Sequence, residues 1–221
     1  MRKPRVLLIY PPNQLMPIET PRPDGSLGLL YLAGALREMG IEADLIDATV
    51  GTPEDRLEDT FYRNEPLPNG LVRIGMSSKR LEEVIRQGKY DIVCINSNFT
   101  PQTNMAFEVA RIVRKVDWYT LVVAGGINAR NMWQKFMSTG LFDLICMTEG
   151  EKIIKDIAHR WTDSLGFLGI PGTICWYNHR TYVFPAKPDT ISTNLDELPF
   201  PAWDKLPFEI DGVAIKVNDF Y

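Results

Sequence analysis

A doubly wound α/β fold on a five-stranded parallel sheet is what this sequence predicts, and three observations predict it. Apolar runs of strand length recur five times between residues 6 and 147. Each run breaks off in proline, glycine or small polar residues, and a segment with apolar side chains at helical spacing follows in most intervals. The two patterns also alternate instead of segregating, which requires parallel strands joined by right-handed helical crossovers.

Val6 to Tyr10 is continuously apolar and is stopped by Pro11 and Pro12, as suits a strand buried on both faces. A loop runs to about Gly25. Leu27 to Met39 then places Leu29, Leu30, Leu32, Ala33 and Leu36 on one helical face, with Gly40 as the stop. Ala43 to Asp47 is the second strand. Residues 49–78 carry Pro53, Pro66, Pro68 and Gly70 with mixed charge, and are expected to form an insertion with one short helix. The alternation resumes with a helix at Arg80–Gln87, a strand at Asp91–Asn96, a helix at Gln102–Val116 and a strand at Tyr119–Ala124. It continues with a helix near Asn131–Ser138, a strand at Phe142–Met147 and a helix at Glu149–Trp161. Thr173–Tyr177 and Thr181–Phe184 read as a C-terminal β-hairpin. The prolines from Pro185 to Pro207 suit an extended tail. The expected organisation is thus a Rossmann/flavodoxin-like domain over residues 1–170, followed by a hairpin and linker over 171–221.

Composition excludes several function classes. The 221 residues carry a net charge of −4 with no basic stripe, so neither nucleic acid nor an anionic membrane surface is an expected partner. No apolar run approaches the roughly 18 residues of a membrane span, and the start is too short for a signal peptide, so the chain reads as cytoplasmic. Cys94, Cys146 and Cys175 lie far apart without C-x-x-C spacing and read as inert core thiols. His159 and His179 are too distant for a metal cluster and read as surface residues.

In an open α/β sheet the ligand lies beyond the carboxyl ends of the strands. There this chain places Pro11, Pro12, Asn13 and Gln14; Ser97, Asn98, Phe99 and Thr100; Gly125, Gly126, Ile127 and Asn128; and Thr148, Glu149, Gly150 and Glu151. Taken singly, each set has a plain structural reading: Gly125-Gly126 as a turn, Ser97 and Thr100 as helix caps before Pro101, Glu149 as a complement to a helix dipole. Together, on one edge, they favour a binding site, because paired glycines let a bulky ligand approach the backbone. A nicotinamide fold would need G-x-G-x-x-G straight after the first strand, where this chain has Pro-Pro. The nucleoside-triphosphate loop G-x-x-x-x-G-K-[ST] is absent from the sequence. A phosphoryl-accepting domain would need an aspartate where Asn96 stands, and Pro11 to Pro17 offers too few N–H donors for a flavin phosphate.

The residues do resemble one family, the cobalamin-binding domain at the N-terminus of cobalamin-dependent radical S-adenosylmethionine enzymes. The resemblance runs from Val6 to about Leu206. It is carried by Tyr10-Pro-Pro, Gly28-Leu-Leu-Tyr-Leu-Ala-Gly-Ala-Leu, Gly40, Asp47 and Tyr90-Asp-Ile-Val, then by Ala124-Gly-Gly-Ile-Asn, Phe142-Asp-Leu-Ile, Glu149-Gly-Glu and Leu198-Pro-Phe-Pro-Ala-Trp-Asp. It implies a module that binds cobalamin and presents it to a radical S-adenosylmethionine domain, in cis or in trans, for methyl transfer. The D-x-H-x-x-G motif that ligates cobalt is missing, so the implied state is base-off without a histidine ligand. Asn128 stands where relatives often have histidine, and Thr148 where glycine is usual. The corrin is expected over the strand ends, against the backbone of Gly125 and Gly126 and the side chains of Ser97, Asn98, Thr100 and Asn128. Tyr10, Phe99 and Ile127 would supply apolar contact, with core packing the competing reading of Tyr10. An iron–sulfur cluster and S-adenosylmethionine are expected only in a downstream domain, because no C-x-x-x-C-x-x-C occurs before Tyr221, and the chain reads as a fragment or a stand-alone domain. On this reading the chain alone is not catalytic. The alternatives are an α/β interaction domain that no longer binds cobalamin and a nucleotide-binding Rossmann enzyme.

Overall fold

In the computed structural model, which describes residues 2–21, 27–191 and 194–206, the apolar runs become the centre of one sheet. In chain order the elements are β1 (Val6–Tyr10), β2 (Asn13–Leu15), α1 (Leu27–Glu38), β3 (Asp44–Asp47), β4 (Asn64–Pro66), β5 (Val72–Ile74), α2 (Ser78–Gly88) and β6 (Ile92–Asn96). They continue with α3 (Thr103–Val116), β7 (Leu121–Gly125), α4 (Ile127–Asn131), α5 (Trp133–Ser138), β8 (Leu144–Cys146), α6 (Gly150–Thr162), β9 (Thr173–Tyr177) and β10 (Arg180–Phe184).

The strand order is β10-β9-β8-β7-β6-β1-β3. Five of these strands, β3, β1, β6, β7 and β8, are parallel, and β9 and β10 add antiparallel to the β8 edge. The sheet is therefore mixed and seven-stranded, not five-stranded: the hairpin's backbone groups pair with β8 instead of standing apart. Its turn is only Asn178 and His179, both at positive φ (47° and 60°), which shortens the expected connection and starts the second strand at Arg180.

Alternating side chains divide the core by sheet face. Leu7, Ile9, Val93, Ile95, Val122 and Ala124 meet the residues of α2, α3 and α5. Val6, Leu8, Tyr10, Ile92, Cys94, Val123 and Leu144 meet those of α1 and α6. Phe107, Phe136 and Phe142 form an aromatic group with centroid separations of 4.9, 5.1 and 6.0 Å that locks α3 and α5 to the entry of β8.

Three expectations change. The helix expected near residues 131–138 starts earlier, at Ile127, and breaks at Met132 into α4 and α5. The insertion holds a single 3-10 turn at Leu57–Asp59 in place of a short α-helix, and β5 pairs with both β4 and β2 in a second, three-stranded sheet. Arg73 on β5, 4% exposed, secures this sheet by two bonds to Glu108 of α3 and by donating to the Met76 carbonyl. The tail is not merely extended. Pro199 to Lys205 docks on α1, where the Ala202 N–H donates to the Leu30 carbonyl (3.1 Å) and Arg37 grips Asp204 with two bonds (3.0 and 2.9 Å). Gly34 permits the approach, since a Cβ there would stand 2.3 Å from the Phe200 carbonyl oxygen. Gly25 of the first loop and the tail beyond Leu206 lie outside the described residues. Among the described residues no helix is long and apolar enough to cross a membrane.

Candidate functional site

From β1 the chain crosses over α1 to β3 on one side, and from β3 it returns past β1 to β6 on the other. That reversal opens a crevice at the carboxyl ends of β1 and β6, the switch point of an open α/β sheet. A cavity of about 210 Å³ lies beside it, between the sheet and the helix pair α1 and α6. The sheet contributes Cys94 and Asn96 from β6, Val123 and Gly125 from β7, and Cys146 from β8; period-two alternation puts all five on one face. The helices contribute Leu29 and Leu32, and Ile154 and Ile157. Gly28, Asn98, Gly126, Thr148, Gly150 and Glu151 stand at the carboxyl edge, so the lining is apolar at depth and polar at the mouth.

The strand-end residues named from sequence divide into four groups. Asn98, Gly125, Gly126, Thr148, Gly150 and Glu151 line the cavity. Ser97 and Asn128, both buried, form a strut behind it. The Ser97 N–H donates to the Gly125 carbonyl (2.8 Å), and the Asn128 amide donates to Ser97 Oγ (2.8 Å) and Thr103 Oγ1 (2.9 Å). This strut holds Gly126 at φ +97°, where a Cβ would lie 2.5 Å from both Asn98 Oδ1 and the Ser97 carbonyl oxygen. Phe99 (57% exposed) and Ile127 (61%) project from the same edge, joined by Met16, Ile18 and Leu27, as an apolar rim. The remaining residues sit elsewhere: Tyr10 is in the core, Pro11 and Pro12 are buried, Asn13 pairs with Ile74, and Thr100 and Glu149 are exposed.

Sequence reading missed Gly28, Leu29, Leu32, Cys94, Asn96, Val123, Cys146, Ile154 and Ile157 as site residues. The available signal was on β6: a polar residue ending an otherwise apolar strand, two positions after a cysteine, on one face. Burial pushes the Cys94 thiol far up and the Cys146 thiol up to about 12, the latter helped by the Glu151 carboxylate. Both stay protonated and unreactive, yet they face the cavity. Both histidines are exposed and belong to the opposite edge, His159 in the last turn of α6 and His179 in the hairpin turn. Among the described residues no cluster of His, Cys, Asp and Glu could hold a metal ion. A shallower hollow of about 490 Å³ between Arg2, Trp161 and Phe167 also lies at that opposite edge, away from the strand carboxyl ends.

Two features of the cavity fit a nucleotide-bearing corrinoid. Its volume suits a flat two-ring heterocycle and not a macrocycle, which would have to rest outside on the apolar rim. And Asn96 Oδ1 is buried without a hydrogen-bond partner among the described residues, a cost of about 1–3 kcal/mol that a bound polar group would remove.

Comparison with known proteins bears on the same region. The sequence profile of the B12 binding domain matches residues 25–158, more than half of the chain. Cytidylyl-2-hydroxyethylphosphonate methyltransferase of Streptomyces wedmorensis is 24% identical over 223 residues, covering 90% of this chain and 40% of that protein. An uncharacterized methyltransferase of Pyrococcus horikoshii, PH0819, is 25% identical over 222 residues, covering 98% and 42%. The chain thus spans about two-fifths of the length of these relatives. Among solved structures, the fold is shared with the radical S-adenosylmethionine methyltransferase TsrM of Kitasatospora setae, with cobalamin and a 4Fe-4S cluster bound (TM-score 0.63, 19% identity, 90% of this chain and 31% of that one). It is also shared with the cobalamin-dependent S-adenosylmethionine radical enzyme OxsB, with aqua-cobalamin and S-adenosylmethionine bound (TM-score 0.66, 20% identity, 92% and 24%).

Proposed function

Because the chain belongs to the B12 binding domain family, we propose that it is the cobalamin-binding module of a cytoplasmic, methyltransferase-type radical S-adenosylmethionine enzyme, and that it holds the corrinoid base-off with no histidine ligand. The observation that carries this reading is the cavity at the switch point, large enough for a displaced lower base and lined by Asn96, whose buried Oδ1 has no hydrogen-bond partner among the described residues. In support of the missing ligand, the only two histidines of the chain stand at the far edge of the sheet. The methyltransferase names of both curated relatives, and the radical S-adenosylmethionine enzymes that share the fold, support the class of enzyme.

The residues divide the work. Leu29, Leu32, Val123, Ile154 and Ile157 exclude water from the base, and the backbone of Gly125 and Gly126 allows close approach of its ribose and phosphate. Asn98 supplies a hydrogen-bonding side chain at the mouth, while Phe99 and Ile127 offer apolar surface to the macrocycle. Ser97 and Asn128 keep the glycine turn in position. Cobalamin, when bound, supplies the methyl-carrying chemistry, and the chain fixes its orientation without being catalytic itself. Residues 1–170 form the binding unit, with the insertion at about 49–78. Residues 171–221 lead toward the radical S-adenosylmethionine domain, in cis or in trans, which would hold the iron–sulfur cluster and S-adenosylmethionine.

The test is to mix the purified chain with hydroxocobalamin, remove free ligand by gel filtration and record the visible spectrum of the protein peak. A retained corrin spectrum, lost in Gly126→Val, is the expected result. A colourless peak at high micromolar ligand would refute the binding function and leave a domain of interaction type.

A further inference from the structure

Asn96 is 9% exposed, ends β6 at the mouth side of the cavity, and has an Oδ1 without a hydrogen-bond partner among the described residues. Two residues deeper on the same strand face, Cys94 brings a thiol that burial keeps protonated, a weak S–H donor. Asn98 and the Glu151 carboxylate add acceptors at the mouth. Such a lining asks for a ligand with an N–H donor near the mouth and a ring nitrogen beside it.

Lower bases of natural corrinoids differ on this point. A carboxamide oxygen such as Asn96 Oδ1 can accept a hydrogen bond from the exocyclic amine of adenine. An aminopurine joined to its ribose through N7 carries that amine on the ring edge next to the glycosidic nitrogen, so a base entering ring-first would bring the amine to the mouth side, where Asn96 ends β6. With the ribose held at the mouth, the six-membered-ring nitrogens N1 and N3 of the base would lie deeper, on the side of the Cys94 and Cys146 thiols. Dimethylbenzimidazole has a C–H in place of the amine, so its entry would seal Asn96 Oδ1 without a partner. A site built to hydrogen-bond a group discriminates strongly against the analogue lacking it, because its own buried polar atom is left unpaired.

Resting on the cobalamin reading above, we propose that this cavity selects corrinoids whose lower base is an aminopurine over those carrying dimethylbenzimidazole, with Asn96 as the specificity-determining residue. The apolar depth accepts either ring system, and the choice is made at the end of β6.

Titration of the 221-residue chain with adeninylcobamide, cobalamin and cobinamide, which lacks the base, tests this by calorimetry. The adenine form should bind at least about tenfold more tightly than cobalamin, with cobinamide weakest. Asn96→Leu, similar in volume and unable to hydrogen-bond, should bring the ratio between the two complete corrinoids to about one or below. Equal binding of both by the unmodified chain, or a preference for cobalamin, overturns the inference, as does a ratio unchanged in Asn96→Leu. The ratio in the unmodified chain decides even if the variant melts early. If none of the three binds, the cofactor reading itself fails and the selectivity falls with it.

Discussion

Val123→Phe should make the ligand-free chain more stable and end its capacity to hold a corrinoid. Val123 sits at the centre of β7 with its side chain toward the cavity between α1 and α6. Cavity cost in protein cores is about 24 cal/mol per Å³, so the hollow of about 210 Å³ forgoes on the order of 5 kcal/mol at the upper limit. The true figure is smaller because the polar mouth admits water. Phenylalanine adds four carbons to valine; at ~0.8 kcal/mol per buried carbon the gain is about 3 kcal/mol. Fitting a rigid ring into a space shaped for a ligand takes back roughly 1–3 kcal/mol. The net is about 1 kcal/mol, or a rise in Tm of about 2–4 °C for a chain of this size. Aromatic residues also suit a strand. Thermal unfolding followed by circular dichroism measures the first effect, and corrinoid retention on gel filtration the second. A variant that retains corrinoid as well as the parent would refute the assignment of this cavity to the lower base. A fall in Tm of several degrees would show that the space is not available to a side chain.

Glu108→Ala should cost about 3–5 kcal/mol in urea unfolding, because it strands the buried Arg73 guanidinium, and the paired change Arg73→Met with Glu108→Leu should recover most of the loss. His179→Gly should raise Tm by about 1–2 °C, since glycine takes the positive φ of 60° without strain and loses part of that gain to unfolded-state entropy. Cys146 should resist iodoacetamide at pH 8, where an unfolded-chain thiol reacts readily. Its folded pKa, about 12, lies above the unfolded value of roughly 8.5, so its contribution to stability is complete below pH ~8.5 and lost as pH rises toward 12. Alkali unfolding of Cys146→Ala should therefore show a shallower decline over that interval.

What sequence could and could not supply follows from the range of the interactions involved. Val6–Tyr10 and Ile92–Asn96 are buried on both faces, so their character is written in consecutive residues and needs no partner to be recognised. The three-residue strands β2, β4 and β5 are too short to show alternation, and they exist because Asn13, Asn64 and Ile74 come together across more than fifty residues of chain. The edge pairing of the hairpin with β8 is likewise a tertiary fact. At the site, position after a strand located the glycine turn and the exposed rim. It could not tell Asn128, whose amide is spent on Ser97 and Thr103, from Asn96, whose Oδ1 has no partner among the described residues, because the same residue type serves both purposes. The helix residues of the cavity wall read only as amphipathic core. A face that lines a hole and a face that fills one have the same periodicity.

The placement of the tail gives the cavity a further constraint. One face of α1 supplies Leu29 and Leu32 to the wall, while the Leu30 carbonyl, Gly34 and Arg37 hold Pro199 to Lys205. The docked segment is thus fastened to the helix that encloses the proposed base site. On the proposed function, in which the chain presents a cofactor to a separate domain, such a connection would be needed, since an error of about 1 Å between reacting groups can cost two orders of magnitude in rate. Gly34 is where this requirement acts on sequence. In a helix interior alanine is ordinarily better than glycine by about 1 kcal/mol, so glycine is the unfavourable choice for α1 taken alone. It makes sense only because the Phe200 carbonyl occupies the space of its missing side chain. The local disadvantage fixes the course of the tail relative to the mouth of the cavity.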